Sequence, residues 1–361
     1  MPIIASKKLK NDLYFLFGCV FLALITVVLK QFPEFVETYY SQGLYPKIGL
    51  WFRTVFGWIP FSVGDWIYII SILLMVRWLL INIRNCLRQP RWFFGKILAV
   101  LTVVYAAFLL FWGINYYRLP LATTLDIKTN YTTEALQKTV DILTEKSNRL
   151  QLFLSDNDSA MVHIPMEKTT IYKASLAGYR EIEKDFAQLS FDRQSLKTST
   201  YSTLLTYMGF SGYFNPLTHE GHVDGIMPVN KFPVTALHEQ AHQLGYAAED
   251  EANFIAWLTA TQHPDPYFQY FGYIFGLKYC LNELYLRDPE NYTTYLRKVN
   301  KGILANYQES NAFWKAYENP FEPLFKKSFD TYLKANSQRH GIASYDKVVG
   351  MIVGYLNKYL Q

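Results

Sequence analysis

Charge-free runs dominate the first third of the chain. Leu13 to Leu29 and Ile97 to Ile114 contain no Asp, Glu, Lys, Arg or His over 17 and 18 residues, each long enough to cross a bilayer as a helix. Val63 to Ile83 is a third run, with Arg77 near its end where a long side chain reaches the interface. Three such runs with hardly a polar face between them exceed what a soluble core uses. No small-residue cleavage site follows the first, which argues against a removed signal peptide. The pattern predicts a membrane domain over residues 1–116, with transmembrane helices at about 13–29, 63–83 and 97–114, and a second domain over 117–361. Gln31 to Ser62, between the first two spans, is rich in aromatics, including Trp51, Phe52, Phe56 and Trp58. It reads either as an interfacial helix on the outer leaflet or as a loop packed under the second domain.

Beyond the third span the apolar residues recur at spacings of three and four. Helices are predicted over Thr133 to Leu154, Lys168 to Leu189, Asp265 to Leu286, Glu290 to Leu304, Pro323 to Ala335 and Ser344 to Leu360. Phe268, Phe271, Phe275 and Tyr279 form an aromatic stripe on one of them, which reads as core. Arg118 to Thr129 is a connector. Thr198 to Asn230 differs, because Gly209, Gly212, Gly221 and Gly225 interrupt β-branched and aromatic residues, so short strands and turns are predicted there. The fold class is therefore mainly α: three transmembrane helices, then a mostly helical α+β domain with a small strand region.

Charge orients this arrangement. Lys7, Lys8 and Lys10 precede the first span, and Arg84, Arg88, Arg91 and Lys96 fill the loop between the second and third, so both segments belong inside. An inside amino terminus and three crossings place everything after Asn115 outside the cytoplasmic (inner) membrane. The lipid bilayer is the first expected partner. The net charge of +5 comes largely from these inner segments and gives no reason to expect a nucleic-acid partner. Cys19, Cys86 and Cys280 fall in three different environments and form no disulfide framework.

The candidate chemistry lies in Pro233 to Leu258. His238, Glu239 and His242 have the spacing H-E-x-x-H, which on a helix puts two imidazoles one turn apart on one face, as a zinc ion requires. Glu239 is then placed to take a proton from a water on the metal. Pro233 and Gly245 bracket a helix of about Val234 to Leu244, with Val234, Leu237, Ala241 and Leu244 as its buried stripe. A lone histidine beside such a stripe is usually a core residue; two, four apart around a glutamate, point to metal.

A third ligand is needed, and Glu249, Asp250 and Glu251 follow within a turn of Gly245. From Glu249 the helical offsets reach Ala252, Asn253, Ala256 and Ala260, a face small enough for close packing. From Glu251 they reach Phe254, Ile255 and Leu258, a bulky core face. Glu249 is the favoured ligand and Glu251 the alternative, with Asn253 positioned to hydrogen-bond a ligand imidazole and Asp250 answering the helix dipole. His219, Glu220 and His222 offer a second cluster without metal-site spacing, read as a polar turn. Tyr273, Tyr285, Arg339, His340 and Tyr345 are candidate donors to a developing oxyanion.

These motifs resemble the zincin metallopeptidases whose third ligand is a glutamate on a second helix: Glu249, Ala252 and Asn253 fit that pattern, with Asn where Asp is commoner. The short connection and the H-x-x-G at His242 to Gly245 resemble instead the branch with a histidine third ligand, but Ala248 stands at that position. The layout is also similar to an uncharacterised family of bacterial membrane proteins with three amino-terminal spans, a W-G-x-N-Y-x-R stretch (Trp112 to Arg118), and H-E-x-x-H followed by E-D-E-A-N-F. The resemblance implies a zincin-like second domain and a zinc peptidase in which Glu239 is catalytic, His238, His242 and Glu249 hold Zn2+, and the substrate is a peptide or protein. In zincins a strand before the active-site helix pairs with the substrate, which directs attention to Gly221 to Val229. The rivals are an intramembrane protease, disfavoured by the charge density of Thr235 to Glu251, and a non-catalytic membrane sensor or scaffold. The sequence leaves the oligomeric state open.

Overall fold

The computed structural model describes the backbone of residues 2–336, 338 and 345–359, and the side chains of 15–336, 338 and 347–359. Five helices make up the apolar part: α1 (Pro2–Leu29), α2 (Pro33–Phe35), α3 (Tyr45–Phe56), α4 (Val63–Arg88) and α5 (Pro90–Phe111), with π-helical turns over Val36–Leu44 joining α2 to α3. Among the described residues, α4 and α5 are each long and apolar enough to cross a membrane. A third span exists if Phe15–Leu29 and Pro33–Phe56, bent by 98° at the break between them, are counted as one. Leu73, Leu74, Met75, Leu80 and Ile81 on α4, and Val100, Leu101, Val103 and Val104 on α5, are exposed, as surfaces facing lipid are.

Packing fixes the relative directions of these helices. Cys19 Sγ lies 2.8 Å from Thr102 Oγ1, and farther along both chains Lys30 Nζ lies 5.8 Å from the Tyr117 ring centroid, so α1 and α5 run parallel. The tight turn at Gln89 makes α4 antiparallel to α5, with Trp78 stacked on Trp92 near that turn. The basic residues Arg84, Arg88 and Arg91 therefore sit at the end of the bundle away from Trp112.

Within Gln31 to Ser62, the packing of α3 against the rest of the chain agrees with the reading of a segment lodged under the second region. One face of α3 buries Tyr45, Gly49, Phe52 and Arg53 against the rest of the chain, while Leu50, Trp51 and Val55 are exposed on the other. The helix is both packed beneath the second region and apolar on its outer side.

The remainder comprises α6 (Leu121–Thr124), α7 (Thr133–Ser155), α8 (Lys168–Ile182), β1 (Leu196–Thr198), α9 (Ser202–Met208), β2 (Gly212–Asn215), β3 (Glu220–Val223), α10 (Phe232–Gln243), α11 (Glu249–Thr261), α12 (Pro266–Arg287), α13 (Pro289–Leu296), α14 (Lys301–Ala316), α15 (Glu322–Ala335) and α16 (Tyr345–Tyr359). Most periodic segments form where their spacing places them. Three differ. The helix expected to reach Leu189 ends at Ile182, and only a single 3-10 turn re-forms at Ala187–Leu189. The helix expected over Glu290 to Leu304 is two, α13 and α14, the second beginning after extended Asn300. The expected strand region contains α9, closed by Gly209 at φ 77°, a left-handed position that suits glycine.

The sheet order β1-β3-β2 corrects another expectation. Within Gly221 to Val229, the segment proposed to pair with substrate, residues 221–223 belong to β3, which is bonded on both sides, parallel to β1 and antiparallel to β2. The strand last in sequence is central in space, so the unpaired edges belong to β1 and β2. Asp224 N donates to Ser211 O at 2.8 Å. The antiparallel alternation then turns the N–H and C=O groups of Gly212 and Phe214 away from β3.

α10 crosses this sheet and packs on α11, α12 and α8. Its burial is not the one-sided stripe that the spacing implies: Thr235, Ala236, Glu239, Gln240 and Gln243 are buried along with Val234, Leu237 and Ala241. Its polar side chains find partners inside, with Gln243 Nε2 donating to Ser195 O at 2.7 Å and to His219 O at 2.8 Å.

Candidate metal centre

Local chain chemistry sets the two helices that meet at the site. Pro233 occupies the first turn of α10, where its missing N–H costs nothing, and Gly245 at φ 88° turns the chain back. A side chain there would strike the Tyr45 ring at 2.9 Å and Asn115 Oδ1 at 3.0 Å, so the turn demands glycine on conformational and steric grounds. α11 starts four residues later, and its own first residue is Glu249.

The outcome is a convergence. His238, His242 and Glu249 each offer a ligand atom within 4.8 Å of the others. His238 Nε2 lies 3.3 Å from Glu249 Oε2, and His242 Nε2 lies 3.6 Å from Glu249 Oε1. Donors bound tetrahedrally at ~2.0–2.2 Å are separated by roughly 3.3–3.6 Å, so the spacing fits zinc. The other ring nitrogens are engaged: His238 Nδ1 is 3.0 Å from Asn253 Oδ1, and His242 Nδ1 is 2.7 Å from Tyr246 O. Each acceptor holds a proton on Nδ1 and leaves the Nε2 lone pair facing the cluster, the tautomer a metal needs. The donor set therefore fits a zinc ion.

Charge follows from burial and proximity. Burial opposes the His238 imidazolium most, yet Glu249, Glu239 and the Asn253 side chain together raise its pKa. His242 is pushed down to about 4, chiefly by burial. Burial acts against the Glu249 anion as well, but the two histidines hold its pKa below the usual range. Glu239 is 2% exposed with Oε2 lacking a hydrogen-bond partner. A desolvated, unpaired carboxylate is costly, and burial lifts its pKa to about 8. A Cβ on Gly212 would lie 2.5 Å from Glu239 Oε1, so the bare backbone of β2 makes room for this carboxylate.

Glu251, the alternative ligand, is directed elsewhere. Its Oε1 accepts from Leu121 N at 2.6 Å, and burial beside Asp250 raises its pKa to about 7. Asp250 stays in the first turn of α11, 3.9 Å from Lys347 Nζ. The small face of α11 is used as expected, since a Cβ on Gly272 of α12 would meet Ala260 Cβ at 2.5 Å.

The donors proposed for an oxyanion fare differently. Arg339, His340 and the Tyr345 side chain lie outside the described residues. Tyr285 is exposed and meets Tyr292 edge-on, and Tyr273 packs on the core of the second region. The hydroxyls that feel the Glu249 charge are those of Tyr116 and Tyr332, 3.0 Å apart. Both are raised by burial first and by Glu249 in addition.

The W-G-x-N-Y-x-R stretch supplies much of the surrounding wall, a role its spacing does not announce. The Trp112 ring meets the His242 ring edge-on at 5.7 Å and lies 4.5 Å from that of Phe214. Arg118 clamps Glu37 through Nε at 2.9 Å and Nη2 at 2.7 Å while its guanidinium lies 3.9 Å over the Tyr246 ring. Asn115 Oδ1 accepts from Ser41 Oγ at 2.9 Å beside Gly245. From α3, Tyr45 OH donates to His242 O at 3.3 Å and Arg53 Nη1 to Gln243 O at 3.2 Å. The carboxyl end of α10 is thus gripped by residues from the apolar part of the chain.

No curated protein and no solved structure matches the chain. A family model described as "Protein of unknown function (DUF3810)" covers residues 40–353, reaching from Tyr40 in the π-helical turns through His238, His242 and Glu249 and into α16, and the chain belongs to that family.

Proposed function

We propose that this chain is a membrane-anchored, zinc-dependent peptidase with a zincin-like second region that acts outside the cytoplasmic membrane. The observation that carries the reading is the convergence of two imidazole Nε2 atoms and one carboxylate within 4.8 Å, next to a buried glutamate with an unpartnered oxygen. Bound by His238, His242 and Glu249, zinc would supply a Lewis acid and bring the pKa of a water toward neutrality. Glu239 then accepts the proton of the attacking water and returns it to the departing amine. The outward N–H and C=O groups of Gly212 and Phe214 hold an extended peptide alongside Glu239 by strand addition. Tyr116 and Tyr332, whose hydroxyls feel the Glu249 charge, are the groups to steady charge on the substrate oxygen.

The topology is part of the same proposal: three crossings, amino terminus inside, and the site on the outer side. Parallel α1 and α5, and basic residues at the end of the bundle remote from Trp112, support it.

The test is made on the full chain in detergent. About one zinc per chain is expected. Glu239→Gln is expected to keep that zinc while hydrolysis of a broad peptide library falls by ~10²–10⁴. A variant indistinguishable from the parent would leave a non-catalytic sensor or scaffold as the better reading.

A further inference from the structure

The metal centre is set into the plane where the membrane part meets the second region. Trp112, against His242, is the residue immediately after α5 ends at Phe111, so one wall of the site is the side chain that caps an apolar helix. The chain on the other side of His242 rests on α3 through Tyr45 and Arg53. α3 belongs to the stretch bent 98° from Phe15–Leu29, and it exposes Trp51 and Leu50 on its opposite face, with Trp58 exposed just beyond its end. A helix with side chains is ~10–12 Å thick, and aromatic faces of this kind settle at the headgroup level. With that face at headgroup level, about one helix thickness would separate His242 from the lipid surface.

From this geometry we infer that the site takes polypeptide segments held at the bilayer surface, next to their own membrane anchor, in preference to freely diffusing peptides. The inference rests on the peptidase reading and adds the height at which the cut is made. A peptide is favoured over a lipid because the groups beside Glu239 are backbone N–H and C=O of an unpaired strand edge, which recognise an extended chain. An anchored segment also arrives at high effective concentration, but height is a separate property and can be measured apart from it.

The experiment is a ruler. The full chain with zinc is reconstituted into phosphatidylethanolamine and phosphatidylglycerol vesicles. Randomised peptides are attached to an acyl anchor with the cleavable segment about 3, 10 or 30 residues away, each residue spanning at most ~3.3–3.6 Å, alongside the same peptides without the anchor. Cutting that is fastest at about 3 to 10 residues, and at least ~10-fold slower on free peptides, is the expected result. Cutting that begins only at the longest spacing, or proceeds equally well on free peptides, overturns the inference while leaving the peptidase reading intact. No cutting of any peptide by zinc-loaded protein removes the reading itself and this inference with it. A second arm uses Trp58→Glu, at an exposed position outside the metal centre. It is expected to keep its zinc and to lower the ratio of anchored to free cleavage; an unchanged ratio counts against the inference.

Discussion

Two clusters in this chain are built from the same residue types, and they end in opposite states. In His238, His242 and Glu249, the protein occupies the outer nitrogen of each imidazole and leaves both inner ones facing a carboxylate. In His219, Glu220 and His222 the carboxylate is already consumed. Glu220 accepts from Gly64 N at 2.6 Å, Val63 N at 3.2 Å and Thr218 Oγ1 at 2.9 Å, the first two being free N–H groups at the start of α4, where a negative charge is favoured. His222 Nε2 lies 2.7 Å from Ser62 Oγ, the cap of that helix. His219 is held between the rings of Phe52, Tyr45 and Phe214 at 5.1, 5.2 and 5.4 Å. Ligand-type residues are therefore not a site until free lone pairs from several of them converge, as those of His238, His242 and Glu249 do. The second cluster is a joint between the sheet and an apolar helix.

Exchanging the roles of the two clusters is the way to break this comparison. The largest effect is expected for His242→Ala: loss of stoichiometric zinc by metal analysis, and loss of any stabilisation that added zinc gives. Retention of a full equivalent would show that the metal sits elsewhere. Next is His219. Its pKa is pushed down to about 3 from 6.5 by burial and then by the Arg53 charge. Neither ring nitrogen makes a hydrogen bond of normal geometry, and only the Phe111 backbone slightly favours the charged form. Because the folded pKa lies below the unfolded one, the neutral ring stabilises the fold above pH 6.5, and that contribution is lost as pH falls toward 3. At ~1.4 kcal/mol per unit this amounts to several kcal/mol. His219→Phe keeps the ring packing, so its thermal midpoint should fall less steeply than the parent's on acidification below pH 6.5. Parallel curves would remove His219 from the acid response.

Smaller effects sharpen the contrast. Glu220→Gln gives up charge-assisted bonds to the start of α4 and should cost ~1.5–3 kcal/mol in stability without changing the zinc content. A drop in zinc would join the two clusters that the geometry separates. Asn253→Ala removes the acceptor that orients His238, for which a ~10- to 100-fold weaker zinc affinity is expected in competition titrations, with little change in fold. Unaltered affinity would mean that packing alone orients the ring.

What the site needed from the sequence was its short-range part. The H-E-x-x-H spacing, the Pro233 and Gly245 brackets, and the choice of Glu249 with Asn253 behind it all follow from helical offsets over one or two turns, which α10 and α11 reproduce. Trp112, Tyr116 and Arg118 formed a recognisable stretch, but nothing local says that it packs on an imidazole more than a hundred positions later. Tyr332 carried no signal at all among 28 tyrosines.

Periodicity and hydropathy fix what depends on near neighbours: the apolar segments, most of the helices, and the geometry of two imidazoles one turn apart. Tertiary structure alone decided the rest. It placed β3 between β1 and β2, so the strand nearest α10 in sequence lost its free edge. It directed Glu220 to the start of α4 and Glu251 to the Leu121 amide. The physical reason is common to all three: a backbone N–H or C=O must find a partner when buried, and which distant polar group arrives first is set by packing that no local pattern encodes.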